Sequence, residues 1–119
     1  MARTAPSIDA YGEGGFRLDG ERLQGSLLIV ADVAQPWPVR ALAELTPESL
    51  QPVLDAGRSE VEFLLLGMGA RNAPPPRAVR EALQAAGLGL EVMDTPEAAR
   101  LYNMLTAEGR RLAAALIAV

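Results

Sequence analysis

The chemistry open to this chain is limited by the residue types it lacks. It has no histidine and no cysteine, and all 11 of its basic residues are arginine. Thiol and imidazole nucleophiles, zinc-finger ligand sets, disulfides, Schiff bases and a phosphate-loop lysine are excluded together. Soft and borderline metals lose their usual ligands, which leaves only oxygen sites, and no two carboxylates stand at a metal-ligand spacing. No catalytic residue, metal or cofactor is expected. Gly67-Met68-Gly69, after an apolar run, is similar to the start of a dinucleotide-binding turn. The third glycine position holds Asn72, the helix does not start at the turn, and Glu91 is the only acid near the ribose-binding spacing. The glycines are better explained by a sharp turn and close backbone approach. Among the acids nearest strand ends, Asp94 stands where a helix N-cap is needed, and an ion pair with Arg110 is a sufficient account of Glu108.

One constellation remains. If the runs at 61–66 and 88–93 are parallel strands, their C-terminal ends share one sheet edge, where ligands of open α/β sheets bind. That edge would gather Gly67, Gly69, Arg71 and Asp94 with the first turns of a helix carrying Tyr102 and Asn103. Backbone N–H groups, a helix N-terminus and the Arg71 guanidinium would suit an anion or a partner's carboxylate. Tyr102 belongs to the apolar stripe of its helix, whereas Asn103 lies off it and asks for a polar role.

The elements that must position these residues follow from apolar patterning. Val61 to Leu66 and Arg111 to Val119 show no polar alternation, so both are expected as interior strands covered on two faces. Ile8, Ala10, Phe16 and Leu18 alternate with polar residues around a Gly-rich turn, the pattern of a half-exposed hairpin. Gly12, Gly14 and Gly15 are turn residues there, because no buried strand precedes them and no helix follows. Asp19-Gly20 marks a second turn, and Leu23 to Val30 is expected as one longer strand entering the main sheet. Trp37, between Pro36 and Pro38, is expected as a plug over the core with its N–H bonded at the rim. A short helix should begin near Ser49, which puts Pro52 in the first turn, and stop near Gly57. A second helix follows Pro74-Pro75-Pro76, with Val79, Leu83 and Ala86 on one face and Gly87 as its C-terminal cap. A third opens at Asp94 or Thr95, with Pro96 in its first turn and Ala98, Leu101, Tyr102 and Leu105 as its stripe, and Gly109 stops it.

The 119 residues suffice for a single domain, 1–119, with a core of its own. Half of them are hydrophobic and 22% charged, a globular composition. The net charge of −4 argues against a general nucleic-acid or anionic-membrane binder. No apolar run is long enough to span a membrane, and Met1 to Pro6 is shorter than a signal or transit peptide, so the expected compartment is the cytoplasm. Residues 1–62 carry five arginines against ten acids, and residues 63–119 six against five, a polarity able to orient a partner.

In order along the chain, Ile8-Asp9-Ala10-Tyr11-Gly12, Trp37, Leu64-Leu65-Leu66-Gly67-Met68-Gly69, Pro74-Pro75-Pro76, Glu91-Val92-Met93-Asp94-Thr95, Tyr102-Asn103-Met104-Leu105 and Glu108-Gly109-Arg110 form a distinctive set. The set resembles the family of mitochondrial respiratory complex I assembly factor three, adipogenesis-associated domain proteins and their uncharacterised prokaryotic relatives, over nearly the whole chain. The resemblance implies a three-layer α/β domain. Its central mixed five-stranded sheet would hold an interior antiparallel C-terminal strand, with helices on one side and a small N-terminal β-hairpin layer plus a helix on the other. It implies no catalytic activity and no cofactor. The eukaryotic members resemble assembly chaperones that bind protein partners, so a non-enzymatic interaction factor is expected here, with a homo-oligomer also compatible. Met68 and Leu101 stand where the family often has threonine, and Ala99 where it often has cysteine, which weakens any hydroxyl or thiol chemistry at the crevice. The alternative is a small-molecule or anion binder using the crevice at the sheet edge.

Overall fold

A computed structural model describes residues 5–119. Its centre is β6 (Phe63–Gly67), whose Leu64, Leu65 and Leu66 are fully buried. It lies between β7 (Gly89–Met93) and β8 (Leu112–Leu116) in a five-stranded sheet that continues beyond β8 with β4 (Ser26–Val30) and then β5 (Val33–Trp37) at the far edge. β8 reads Leu-Ala-Ala-Ala-Leu and is buried along its whole length. The small alanines let both helical and strand layers approach the sheet closely at this interior position. β8 runs antiparallel to β4 (Ser26–Val30) and parallel to β6, so the expected antiparallel pairing holds on its β4 side.

Two cores sandwich the sheet. On one face, α1 (Gln51–Glu60) and α2 (Arg77–Ala85) contribute Val53, Val79 and Leu83 to a core shared with Leu28, Leu64, Leu66 and Ala115. On the other, α3 (Thr95–Ala107) and the N-terminal strands contribute Ala98, Tyr102, Ile8 and Phe16 to a core shared with Leu27, Leu65 and Ala114. The alternation of odd and even residues between the two cores is the strand period of two, with both sides covered.

The N-terminal layer is a three-stranded sheet rather than a hairpin: β1 (Ile8–Gly12), β2 (Gly15–Leu18) and β3 (Glu21–Gln24) pair in chain order. An irregularity between Ile8 and Ala10 shifts the β1–β2 register, and Ala10 is exposed rather than facing the core. Leu23 to Val30 is not one strand. Gly25, at φ +90°, ends β3 and sends β4 into the other sheet. β5 (Val33–Trp37) was not expected, because Pro36 lies inside it; as an edge strand it needs no outward N–H at that residue.

Trp37 is buried, and its Nε1–H donates to the Ser49 carbonyl at 2.8 Å. Thr46 and Ser49 exchange side-chain and backbone hydrogen bonds around a 3-10 turn that leads into α1, whose Pro52 lies in the first turn. Gly57 leaves the helical conformation at φ +68°. After α2, the Gly87 N–H donates to Gln84 and the Leu88 N–H to Leu83, a glycine-ended helix turned straight into β7.

Candidate functional site

β6 and β7 are parallel, so the turn after β6 and the start of α3 do meet at one sheet edge. The Met68 N–H donates to the Met93 carbonyl at 2.8 Å, and the Ile117 N–H to the Gly67 carbonyl at 2.9 Å. Thr95 closes the remaining gap. Its N–H donates to Gly69 O (2.8 Å), its Oγ1 accepts from the Gly69 N–H (2.9 Å), and the same hydroxyl donates to Ile117 O (2.7 Å). Thr95 is completely buried. Gly67 is required by this closeness: a Cβ there would lie 2.9 Å from both Leu116 Cδ2 and Thr95 Oγ1. Gly69 is required by its backbone, at φ +98°.

At the head of α3, the Asp94 carboxylate accepts from the Glu97 N–H at 2.9 Å, as an N-cap should, and the Ala98 N–H donates to Asp94 O. Pro96 has no N–H to offer. Three backbone donors of this edge are committed within it: Gly69 N–H to Thr95, Thr95 N–H to Gly69, Glu97 N–H to Asp94. The anion-crevice reading thereby loses the N–H groups of the helix start and of Gly69, and keeps Arg71. Arg71, beside this turn, is exposed and makes no hydrogen bond or ion pair among the described residues.

The other two expected residues lie elsewhere. Tyr102 is fully buried beneath α3, among the side chains of the second core, and its ring is out of a partner's reach. The stripe that identified it as a core residue was the better guide. Asn103 is the polar residue off that stripe, and its work is with β1. Its Oδ1 accepts from the Ile8 N–H at 2.9 Å and its Nδ2 donates to Ile8 O at 2.8 Å. It thereby meets the edge of β1 as another strand would. Asn103 and Asp94 do share an open groove of about 460 Å³ between β1 and α3, with Asp9, Tyr11, Glu97 and Arg100. In it, the Arg100 guanidinium hydrogen-bonds the Glu97 carboxylate and holds it below the usual carboxylate range. Glu108 does not pair with Arg110, which reaches Glu62 instead, at 3.5 Å across the strand starts. Among the described residues, no group of three or more acids is gathered as a metal site would require.

Thr95 is the residue that sequence reasoning placed only as a cap. A threonine behind Asp94 has a full explanation in the helix start, and nothing local announces a bond to Ile117, 22 residues away. Ser26 is a similar case, buried where its Oγ accepts from the Ala118 N–H at 2.9 Å.

The fold and this edge define a class: a three-layer α/β domain whose sheet edge is sealed by its own hydrogen bonds. The chain belongs to a family described as protein of unknown function (DUF498/DUF598), whose model matches residues 8–117. An uncharacterised protein of Rhodobacter capsulatus is 43% identical over 110 residues, covering 92% of this chain and 82% of the relative. The zebrafish (Danio rerio) protein named NADH dehydrogenase [ubiquinone] 1 alpha subcomplex assembly factor 3 is 34% identical over 110 residues, covering 92% of this chain. The match spans 63% of that relative's length. Among solved structures, a crystal structure of an outer membrane protein from Bartonella henselae superposes with a TM-score of 0.91 at 31% identity, covering 100% of this chain and 99% of that one. No helix among the described residues of the present chain is long and apolar enough to cross a membrane.

Proposed function

We propose that this chain is a non-enzymatic factor that binds protein partners and assists the assembly of a larger complex, with respiratory complex I the first candidate. The observation that carries the reading is the 34% identity to an assembly factor over 92% of the chain. The site geometry supports it in a second way: Gly69, Thr95, Ile117 and the Asp94 cap are bonded to one another at the sheet edge, which suits a rigid platform better than a pocket for a small molecule. The working surface in this reading is the rim formed by Gly67, Gly69, Arg71 and Asp94. Arg71 offers a carboxylate on the partner a planar, bidentate contact. Asn103 supports the neighbouring β1 and Tyr102 the core below. The protein acts in the cytoplasm, on partners held before their assembly is complete.

The test is capture of partners from the native host with a tagged chain, followed by mass spectrometry. Arg71→Glu is expected to keep the melting temperature and lose the partners that the unmodified chain retains. If Arg71→Glu captures them normally, the working surface lies elsewhere on the molecule.

A further inference from the structure

The sheet edges of this molecule are not treated alike. β1 has the Asn103 amide on Ile8. β3 is short and carries Glu21, Arg22 and Gln24. β5 is joined to β4 by the two-residue turn Ala31-Asp32, both at positive φ, so Val30 and Val33 form the closing hydrogen-bonded pair. The alternation of an antiparallel ladder then turns the backbone of residues 34, 36 and 38 away from β4, and two of these are prolines. Of these outward positions only Ala34 keeps an N–H for another strand. These are the recognised ways to blunt an exposed edge.

β7 has no such device. The Gly89 N–H donates to Glu62 O and the Met93 carbonyl accepts from Met68 N, so Gly89, Glu91 and Met93 face β6. In a parallel ladder the intervening Leu90 and Val92 must direct their N–H and C=O outward. No hydrogen bond among the described residues reaches them. Beside this edge, an open groove of about 620 Å³ runs under α2, lined by Arg80, Leu83, Gln84 and Leu88 with Leu90 and Val92.

We infer that the outer edge of β7 takes an added strand from a different protein, an extended segment with a basic residue between two apolar ones. This names the docking mode within the partner-binding function proposed above, and rests on that reading. The backbone of the incoming strand meets the open groups of Leu90 and Val92. Its apolar side chains enter the groove against Leu83 and Leu88, on the face where Leu90 and Val92 pack. The residue between them projects on the opposite face, beside Glu91, which is exposed and is the strand's one charge. Glu91 also decides against a second copy of this chain. An antiparallel self-pair that uses all the open groups of Leu90 and Val92 is centred on Glu91 and sets the two carboxylates directly opposite each other, a destabilising arrangement. The other two-fold registers keep half of those hydrogen bonds.

The experiment selects a displayed library of short random peptides on the intact chain and maps amide exchange with the winning peptide bound. The expected winners have the apolar-basic-apolar pattern and slow the exchange of Leu90 and Val92. Val92→Pro removes an outward donor and no bond to β6, so it should weaken them about tenfold. Should Val92→Pro disturb the fold, Glu91→Lys, an exposed change, serves alone: it should reject the winners and select peptides with an acid in the central position. Winners that both variants hold equally, or that protect Gly69 to Arg71 instead, overturn the β7 assignment and leave the partner-binding reading standing. A library that yields no binder also overturns it, as does slow exchange of Leu90 and Val92 in the free chain at concentrations where it sediments as a dimer.

Discussion

At Thr95 a single hydroxyl both accepts from Gly69 and donates to Ile117, joining the turn after β6, the start of α3 and the chain beyond β8. Thr95→Val keeps the shape and removes both bonds, leaving a buried N–H and a buried carbonyl unsatisfied. The expected cost is about 2–4 kcal/mol by chemical denaturation. Thr95→Ser keeps the hydroxyl and should lose only about 1 kcal/mol, for its methyl group. Equal losses would mean that packing, not hydrogen bonding, holds the turn. Glu62 plays a related part at the other end of the sheet. Its carboxylate accepts from the Arg111 N–H at 3.1 Å and pairs with Arg110. The Arg111 amide first, then the Arg110 guanidinium, holds its pKa below the ordinary value for a glutamate. A carboxyl depressed in the folded state adds stability above its unfolded pKa, and that stability disappears as pH falls through the folded pKa. The melting-temperature advantage of the wild type over Glu62→Gln should therefore be present at neutral pH and shrink once pH drops below about 4. A gap that stays constant into acid would remove Glu62 from the account.

At the scale of elements, Asn103 holds β1 to α3 by two bonds to one residue. Asn103→Ala should cost about 1–3 kcal/mol and speed amide exchange in β1, leaving β6 and β8 the slowest-exchanging strands. Unchanged β1 exchange would show that the strand needs no such clasp. The interior strands were legible in the sequence because burial on both faces removes polar alternation, as Leu64 to Leu66 and Ala113 to Ala115 show. The helices were legible from Pro52, Gly57, Gly87, Asp94 and Gly109, whose backbone preferences act locally. Gly25 and Pro36 misled for a common reason. A glycine inside an apolar run does not say that the chain changes sheets, and a proline does not say whether its strand lies at an edge. Both depend on which strands become neighbours. The site was half legible. Parallel pairing brought Gly67, Gly69 and Asp94 to one edge, as the pattern of runs implied, but the bonds that seal it join residues far apart in the chain. The stripe placed Tyr102 in the core; only the tertiary structure shows Asn103 reaching Ile8.

For the whole molecule, the polarity of charge and the difference between edges matter more than any single group. The acidic half of the chain includes the whole N-terminal sheet, and the near-neutral half includes Arg71, α2 and β7. A partner of mixed charge would meet two unlike surfaces, which sets its orientation more than its affinity. The most direct measurement is made in the native host, by separating its membrane complexes with and without the gene for this chain. The account predicts that loss of the gene lowers the amount of fully assembled respiratory complex I and leaves partial assemblies behind. The unmodified chain should restore the full complex, and Arg71→Glu, although folded, should not. Normal amounts of the assembled complex in cells lacking the chain would contradict the account.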